Sequence, residues 1–433
     1  MKLEERISEH SARIAVVGQG YVGLPLAVEF AKAGFRVTGI DLDTEKVATL
    51  NRGESYIPDV ESYMISGLLA AGRYRAATEM DVLGESDAII ICVPTPLRKT
   101  KDPDISFVLS AVSEVKARLR AGQLVVLEST TYPGTTSEVL LPLFEECGLQ
   151  VGQDFFLAFS PERIDPGNKQ FQVRDIPKVV GGMTPACARM AVLLYSQIVD
   201  RVFEVSNPTV AELAKLYENT FRSVNIALAN EFALMCSYLG VSVWEVIEAA
   251  ATKPFGFMPF SPGPGIGGHC IPIDPMYLSW KLRLNGYEAR FIALADEVNR
   301  SMPRYVIELL TDGLNTRGKC VKGSRLLILG VAYKRDVGDL RESPALDVIA
   351  ELHRKGAEVV YADPFVSTLV HEGVSVQRVE PDPRVVRESD AVMILTDHRQ
   401  FDYPMVVQHA DFVVDTRNAT RGLTAPAGRI IRL

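Results

Sequence analysis

Arg13-Ile14-Ala15-Val16-Val17-Gly18-Gln19-Gly20-Tyr21-Val22-Gly23 is a short, β-branched apolar run that stops on three glycines spaced G-x-G-x-x-G. Leu24, Leu26, Ala27, Phe30 and Ala31 then carry helical spacing up to Gly34, and a second apolar run, 35–40, ends at Asp41. Strand, glycine turn, helix, strand and acid follow one another in the order that a dinucleotide site requires, with Asp41 about twenty residues past the glycines. The first two glycines permit a tight turn and the approach of a pyrophosphate to the helix N-terminus, and the third lets helix and strand pack closely. Asp41 is placed to hydrogen-bond the ribose hydroxyls and to repel a 2′-phosphate, which favours NAD over NADP.

Outward from this unit, strand and helix keep alternating. The run 87–93 ends in Pro94-Thr95-Pro96, and 124–128 ends in Ser129-Thr130-Thr131. Ligands of open parallel sheets lie outside the carboxyl ends of the strands, so Thr95 and Thr130 fall on the crevice rim; position alone suits helix caps or turn residues equally. The run 155–159 leads into Ser160-Pro161-Glu162-Arg163, either a rim carboxylate and cation or a solvated pair.

The last quarter restarts the pattern at 325–330, without the second and third glycines, and continues through a helix at 344–354 and strands at 358–362 and 391–396. Glu85-Ser86-Asp87-Ala88 before one apolar strand recurs as Glu388-Ser389-Asp390-Ala391 before another, a hint that the two end domains are related. The turn Gly330-Val331-Ala332-Tyr333-Lys334-Arg335-Asp336, with Arg341 nearby, gathers cations at a strand end. Such a cluster suits a diphosphate or simply faces solvent. The fold expected is α/β: two Rossmann-like domains with parallel sheets, 1–206 and 318–433, joined by a long central helix and a helical middle, 207–317.

Between them, the spacing predicts a helix over 207–239. Glu212, Lys215, Asn219 and Arg222 share one face at i+3 and i+4 steps, a pattern that usually means a solvated stripe. Asn219 and Asn225, however, are poor helix formers in a segment rich in Ala and Leu. Helices are also expected over 243–251 and 287–317. The loop between them carries Phe255, Phe257, Phe260 and Gly263-Pro264-Gly265-Ile266-Gly267-Gly268-His269-Cys270-Ile271-Pro272-Ile273-Asp274. Cys270 there is either a reactive thiol on a glycine-rich loop, with Asp274 four residues on, or a small buried hydrophobe.

A chain of 433 residues exceeds one ordinary core. Its net charge of -8 argues against a general nucleic-acid or membrane-surface binder. The first eleven residues are charged and lack an apolar signal core, and no run of about 18 apolar residues occurs, so a cytoplasmic protein is expected. Six cysteines without CxxC or paired-histidine spacing speak against a disulfide framework and a structural zinc, and no metal is expected.

With these residues assembled, the chain resembles the nucleotide-sugar 6-dehydrogenases, the group containing UDP-glucose and GDP-mannose dehydrogenases, from about residue 13 to 417. The resemblance rests on Gly-Gln-Gly-Tyr-Val-Gly (18–23), Val-Pro-Thr-Pro (93–96), Ser-Pro-Glu-Arg (160–163), Glu-Leu-Ala-Lys-Leu-Tyr-Glu-Asn (212–219), Gly-Gly-His-Cys (267–270) and Tyr-Lys-Arg-Asp-Val-Gly-Asp-Leu-Arg-Glu-Ser (333–343). His269 and Ile273 depart from the UDP-glucose branch, and Gly-Gly-His-Cys-Ile-Pro-Ile-Asp-Pro looks like the branch acting on UDP-N-acetylhexosamines, especially UDP-N-acetylglucosamine.

The resemblance implies a four-electron oxidation of a sugar C6 alcohol, with Cys270 as the nucleophile and Lys215, Asn219, Asp274, Glu162 and Thr130 beside it. It implies NAD contacts at Gly18, Gln19, Gly20, Tyr21, Val22, Gly23, Asp41, Lys46, Thr95, Thr130 and Arg341. For the UDP-sugar it implies Glu162, Arg163, Ile164, Lys215, Asn219, Arg222, Gly267, Tyr333 and Lys334. Phe255, Phe257 and Phe260 would line the uracil or acetamido pocket, from the same subunit or a partner, unless they are core aromatics. Pairing through the central helices would give a dimer or larger assembly, and the product would feed bacterial-type surface polysaccharide. Two rival readings remain open: UDP-N-acetylmannosamine or UDP-glucose as substrate, and a non-catalytic nucleotide-binding regulator. A two-electron hydroxyacid dehydrogenase would need neither Cys270 nor a second α/β domain.

Overall fold

Burial on both faces is what makes the apolar runs strands. Ile14 and Val16 enter one core and Ala15 and Val17 the opposite one; Ile90 and Ile89 divide in the same way, as expected of a parallel sheet covered on both sides. The computed structural model describes residues 2–57, 59–98, 100–163, 173–371 and 373–433. It forms two compact units, Met1–Glu218 with Met276–Tyr287, and Asn219–Pro275 with Glu288–Leu433.

The first unit holds β1 (Arg13–Val17), β2 (Arg36–Ile40), β3 (Tyr74–Ala77), β4 (Ala88–Ile91), β5 (Leu124–Leu127), β6 (Phe156–Phe159), β7 (Lys178–Gly182) and β8 (Val202–Val205). Their order is β3-β2-β1-β4-β5-β6-β7-β8. Helix α1 (Gly23–Lys32) follows the glycine turn, and α2 (Pro185–Tyr195) joins β7 to β8. The expected parallel sheet has one exception. β6 and β7 run antiparallel, with Phe159 opposite Gly181 and Ala158 opposite Gly182, which brings the start of β7 to the carboxyl end of β6.

The second unit holds β9 (Arg325–Leu329), β10 (Glu358–Ala362), β11 (Leu369–His371), β12 (Val374–Arg378), β13 (Ala391–Ile394), β14 (Val413–Asp415) and β15 (Ile430–Arg432), in the order β11-β12-β10-β9-β13-β14-β15. Here β11 pairs antiparallel with β12. Leu326 and Ile328 pack into one core, and Leu327 and Leu329 into the other.

The recurring Glu-Ser-Asp-Ala has the same structural job in both units. The Asp87 carboxylate accepts the Arg13 N–H at 3.0 Å and Glu85 pairs with the Arg13 guanidinium at 3.1 Å. Asp390 accepts the Arg325 N–H at 2.8 Å and Glu388 pairs with the Arg325 guanidinium at 3.0 Å. Both serines donate to the carbonyl four residues earlier.

Between the two sheets in the chain come α3 (Pro208–Leu239), α4 (Val243–Ala251), α5 (Asp274–Leu284) and α6 (Arg290–Asn315). The Asn207 side chain accepts the Val210 N–H and so caps α3. The expected helix over 287–317 is shorter at both ends, and α5 escapes the periodicity because Asp-Pro-Met-Tyr-Leu-Ser-Trp-Lys-Leu-Arg-Leu has no continuous apolar face. A further helix, α7 (Pro344–Arg354), coincides with the expected 344–354.

Candidate active site

The glycine turn is shaped as its spacing requires. Gly18 has φ +93°, and a side chain there would strike the Cys92 carbonyl. A Cβ on Gly23 would overlap the Gly18 carbonyl, so the third glycine serves helix–strand contact. A Cβ on Gly20, by contrast, would meet nothing within 4 Å, leaving open the side from which a pyrophosphate would approach. The Gln19 N–H donates to Asp41 at 2.9 Å, which ties the acid to the turn. The Gln19 side chain is buried, donating to the Val16 carbonyl at 2.9 Å and accepting from Tyr74 at 2.8 Å. The Gln19 backbone carbonyl accepts the Tyr56 hydroxyl at 2.5 Å, so Gln19 shapes the turn from within. Tyr21 and Val22 are half-buried beside it. Lys46 lies 4.0 Å from Asp43, on the helix that Asp43 caps. These features fit a dinucleotide.

Along the same sheet edge, Thr95 and Thr130 are half-buried, and the Tyr277 hydroxyl donates to the Thr95 carbonyl at 3.0 Å. Glu162 and Arg163 are not a solvated pair. Glu162 is buried, with Lys178 at 3.6 Å, while the Arg163 guanidinium grips Glu218 at 2.7 and 3.1 Å and donates to the Pro177 carbonyl. Ile164 lies outside the described residues.

The polar face of α3 is likewise not a solvated stripe along its length. Glu212 and Lys215 are buried, whereas Arg222 is exposed. The Glu212 carboxylate accepts N–H groups of Gly134 at 2.6 Å and Thr136 at 2.9 Å and the Thr136 hydroxyl at 2.7 Å, clasping the loop that follows Thr130. Burial pushes its carboxyl up, against those donors. Helical spacing alone would not separate this clasp from Lys215, its neighbour one turn away.

In the second unit Asn219 donates to Asp274 at 2.6 Å, which rewards an asparagine in mid-helix. Asp274 opens α5, and its N–H donates to the Cys270 carbonyl at 2.8 Å. Cys270, half-buried, thus stands at the N-terminal turn leading into α5, where negative charge is favoured. The glycines before it seat the loop. A Cβ on Gly267 would strike Tyr333 and the Glu342 carbonyl, and one on Gly268, at φ +86°, would meet the Tyr333 ring. The Gly268 N–H donates to the Arg341 carbonyl at 2.9 Å, and the Gly263 N–H to Asn230 at 2.9 Å. The cysteine loop is therefore built against the Tyr333–Arg341 turn. Lys334 is half-buried in that turn, and Asp339 grips the Arg341 guanidinium.

Arg417 belongs to no motif that marks it in the sequence. Its guanidinium occupies the space beside Gly263, its Nε donates to the Leu395 carbonyl at 2.9 Å, and burial, then the neighbouring Arg335, lowers it to about 10. The only signal was an arginine just past a β-strand, at the end of the resemblance. Phe255 and Phe257 are exposed, and Phe260 meets Phe221 edge-on at 5.8 Å, so the first two are not core aromatics. Among the described residues there is no cluster of ligands for a metal ion, and no helix is long and apolar enough to cross a membrane.

Residues 12–199, 209–301 and 327–422 match, in turn, the NAD binding, central and UDP binding domains of the UDP-glucose/GDP-mannose dehydrogenase family. The chain is 35% identical to a UDP-N-acetyl-D-mannosamine dehydrogenase of Methanococcus aeolicus over 93% of its own length and 88% of the relative's. It is 38% identical to a UDP-N-acetyl-D-glucosamine 6-dehydrogenase of Pseudomonas aeruginosa over 82% and 83%. Among solved structures, a UDP-D-ManNAc dehydrogenase from Pyrococcus horikoshii superposes with TM-score 0.88 at 35% identity, covering 97% of this chain and 98% of that one. The chain belongs to the UDP-glucose/GDP-mannose dehydrogenase family and is a nucleotide-sugar dehydrogenase that uses NAD.

Proposed function

We propose that the protein oxidises the C6 hydroxyl of a UDP-N-acetylhexosamine to the carboxylate, with UDP-N-acetylglucosamine as substrate and UDP-N-acetylglucosaminuronic acid as product. The observation that carries this reading is the cysteine loop: Cys270 on glycines seated against Tyr333, with Asp274 bonded to Asn219. NAD held at Gly18–Gly23 and Asp41 supplies the hydride acceptor for both oxidations. Lys215, with Asn219 one turn further along α3, stabilises charge on the reacting oxygen. The Cys270 thiolate adds to the C6 aldehyde as a thiohemiacetal, which becomes the thioester after the second oxidation. Asp274 orients Asn219, while Glu162 and Thr130 manage the water that hydrolyses the thioester. Tyr333, Lys334 and Arg417 take the UDP, the guanidinium of Arg417 gaining an anion where burial has left it poorly solvated.

The relatives named for UDP-N-acetylmannosamine favour that epimer as a second reading. A panel of UDP-N-acetylglucosamine, UDP-N-acetylmannosamine and UDP-glucose, followed by NADH absorbance, tests the choice. Highest kcat/KM on the first supports the proposal, and highest kcat/KM on either of the others replaces it. A cytoplasmic setting suits both ligands and the free cysteines. There the product would feed surface polysaccharide synthesis. The protein would work as a homodimer or larger assembly. Leu228, Phe232, Met235 and Leu239 repeat at steps of four, three and four on α3, all exposed, a seam suited to a second copy.

A further inference from the structure

Behind Glu162 lies a group of charged side chains that neither the motifs nor the reaction uses. Glu128 follows β5, Glu162 follows β6, and Lys178 opens β7. The antiparallel register that sets Phe159 opposite Gly181 carries on to set Glu162 opposite Lys178, so the one reversed strand pair in this sheet delivers an ammonium to the carboxyl edge. Lys178 Nζ lies 2.8 Å from Glu128 and 3.6 Å from Glu162. The Tyr195 hydroxyl, from α2, donates to the other Glu128 oxygen, and Lys178 stands 5.2 Å above the Tyr195 ring. Cys92, just past β4, also interacts with Lys178. All five side chains are buried.

Two carboxylates thus share one cation away from water. Burial of such a cluster is costly, and apolar side chains would stabilise the fold as well or better. Perturbed groups of this kind gather at functional sites. Burial raises the Glu128 carboxyl, and the two carboxylates hold the Lys178 ammonium above its ordinary value against the effect of burial. Glu162 and Lys178 also border a cavity of about 10 Å³, room for roughly one water.

We propose that Lys178 is a positioning residue for the hydrolytic half of the reaction: anchored by Glu128 and Tyr195, it holds the Glu162 carboxylate in place to receive the proton of the attacking water. This rests on the reading of Glu162 as the base. In that step the water oxygen bonds to the thioester carbonyl carbon and one water proton passes to Glu162. The C–S bond then breaks with its electron pair going to sulfur, and the proton leaves Glu162 for the thiolate or solvent. No electrons are gained or lost.

The test combines rapid-mixing NADH absorbance with the intact mass of the protein during turnover, for Lys178→Met, Lys178→Arg, Glu128→Gln and Glu162→Gln. Lys178→Met is expected to give a normal NADH burst followed by a steady rate slowed about 30-fold or more, with an acyl adduct accumulating on Cys270. Lys178→Arg is expected to recover most of that rate. The acid limb of kcat moves up by about one pH unit in Lys178→Met, which loses a cation beside the base, and down in Glu128→Gln, which loses a competing anion.

A general structural defect would not move the two limbs in opposite directions. If Glu162→Gln accumulates the adduct while Lys178→Met does not, or the limbs stay put or move together, the role of Lys178 is wrong. If Glu162→Gln accumulates no adduct, the reading of Glu162 fails instead. Should Lys178→Met not fold, the downward shift in Glu128→Gln decides alone, and its absence refutes the proposal.

Discussion

Asp41 and Arg417 show two ways in which one side chain selects a ligand. Asp41 is fastened to the Gln19 N–H and accepts the Asp43 N–H, so its charge is held at the mouth of the turn. Asp41→Ala is expected to weaken NAD binding about 5- to 100-fold, the loss of one or two hydrogen bonds to a charged acceptor, and to narrow the preference over NADP. Equilibrium binding of both nucleotides checks it; an unchanged preference would place the discrimination elsewhere. Arg417 was illegible in the sequence because nothing near it in the chain marks it. Its partner, Gly263, lies more than 150 residues away, and only the fold puts them side by side. With its charge disfavoured by burial, Arg417 gains more from a bound anion than a solvated arginine would. Arg417→Met should raise the KM for the UDP-sugar by about 30-fold or more without lowering the melting temperature of the ligand-free protein. A lower melting temperature with an unchanged KM would make Arg417 structural.

At the scale of elements, the cysteine loop was legible in composition but not in what holds it. Gly263–Gly268 announced a close approach, yet the surface approached, Tyr333 and Glu342, belongs to another part of the chain. So does the anchor: Asn230 accepts the Gly263 N–H and donates to Asn299 at 2.9 Å. Asn230→Ala leaves buried polar groups unpaired and should cost about 1–3 kcal/mol in denaturant unfolding, with a larger fall in kcat than in NAD affinity. Equal stability would show that the loop needs no anchor.

The β10 end carries a second example. Asp363 occupies the place that Asp41 has after β2, accepting the Val331 N–H at 2.8 Å, but it is covered by His398, whose Nε2 donates to it at 3.0 Å while Nδ1 accepts the Asp336 N–H. That acid serves the turn and leaves none for a ribose, in keeping with a UDP binding rather than an NAD binding domain. Burial works against the Asp363 charge, but the His398 and backbone donors hold its carboxyl below the usual value. Its stabilisation is complete above the unfolded value of about 3.9 and is lost as pH falls through the lower folded one. His398→Gln should therefore shift acid unfolding to higher pH, followed by circular dichroism. An unmoved midpoint would mean that the pair contributes nothing.

Over the whole molecule, the duplicated plan could be read from sequence because the central strands β1, β4, β5, β9 and β13 are continuous apolar runs, marked by glycine or by the Glu-Ser-Asp-Ala repeat, whereas edge strands such as β3 (Tyr-Arg-Ala-Ala) and β8 (Val-Phe-Glu-Val) are too mixed to stand out. The reversed strands could not be read, since direction leaves no trace in an apolar pattern. For that reason the sequence left Glu162 open between a rim carboxylate and a solvated pair, and Lys178, brought up by β7, could not be foreseen beside it. The exposed seam on α3 predicts assembly: Leu228→Asp with Met235→Asp should shift the mass in solution to that of one chain, about 47.6 kDa. Light scattering that finds the variant and the parent at equal mass would remove the seam from the interface.

A four-electron oxidation through Cys270 fixes the yield of NADH from a limiting amount of UDP-N-acetylglucosamine with excess NAD. Two NADH per sugar, with a uronic acid as product and no acid formed by Cys270→Ala, is the predicted result. One NADH per sugar with a stable aldehyde, or acid production by Cys270→Ala, would contradict it.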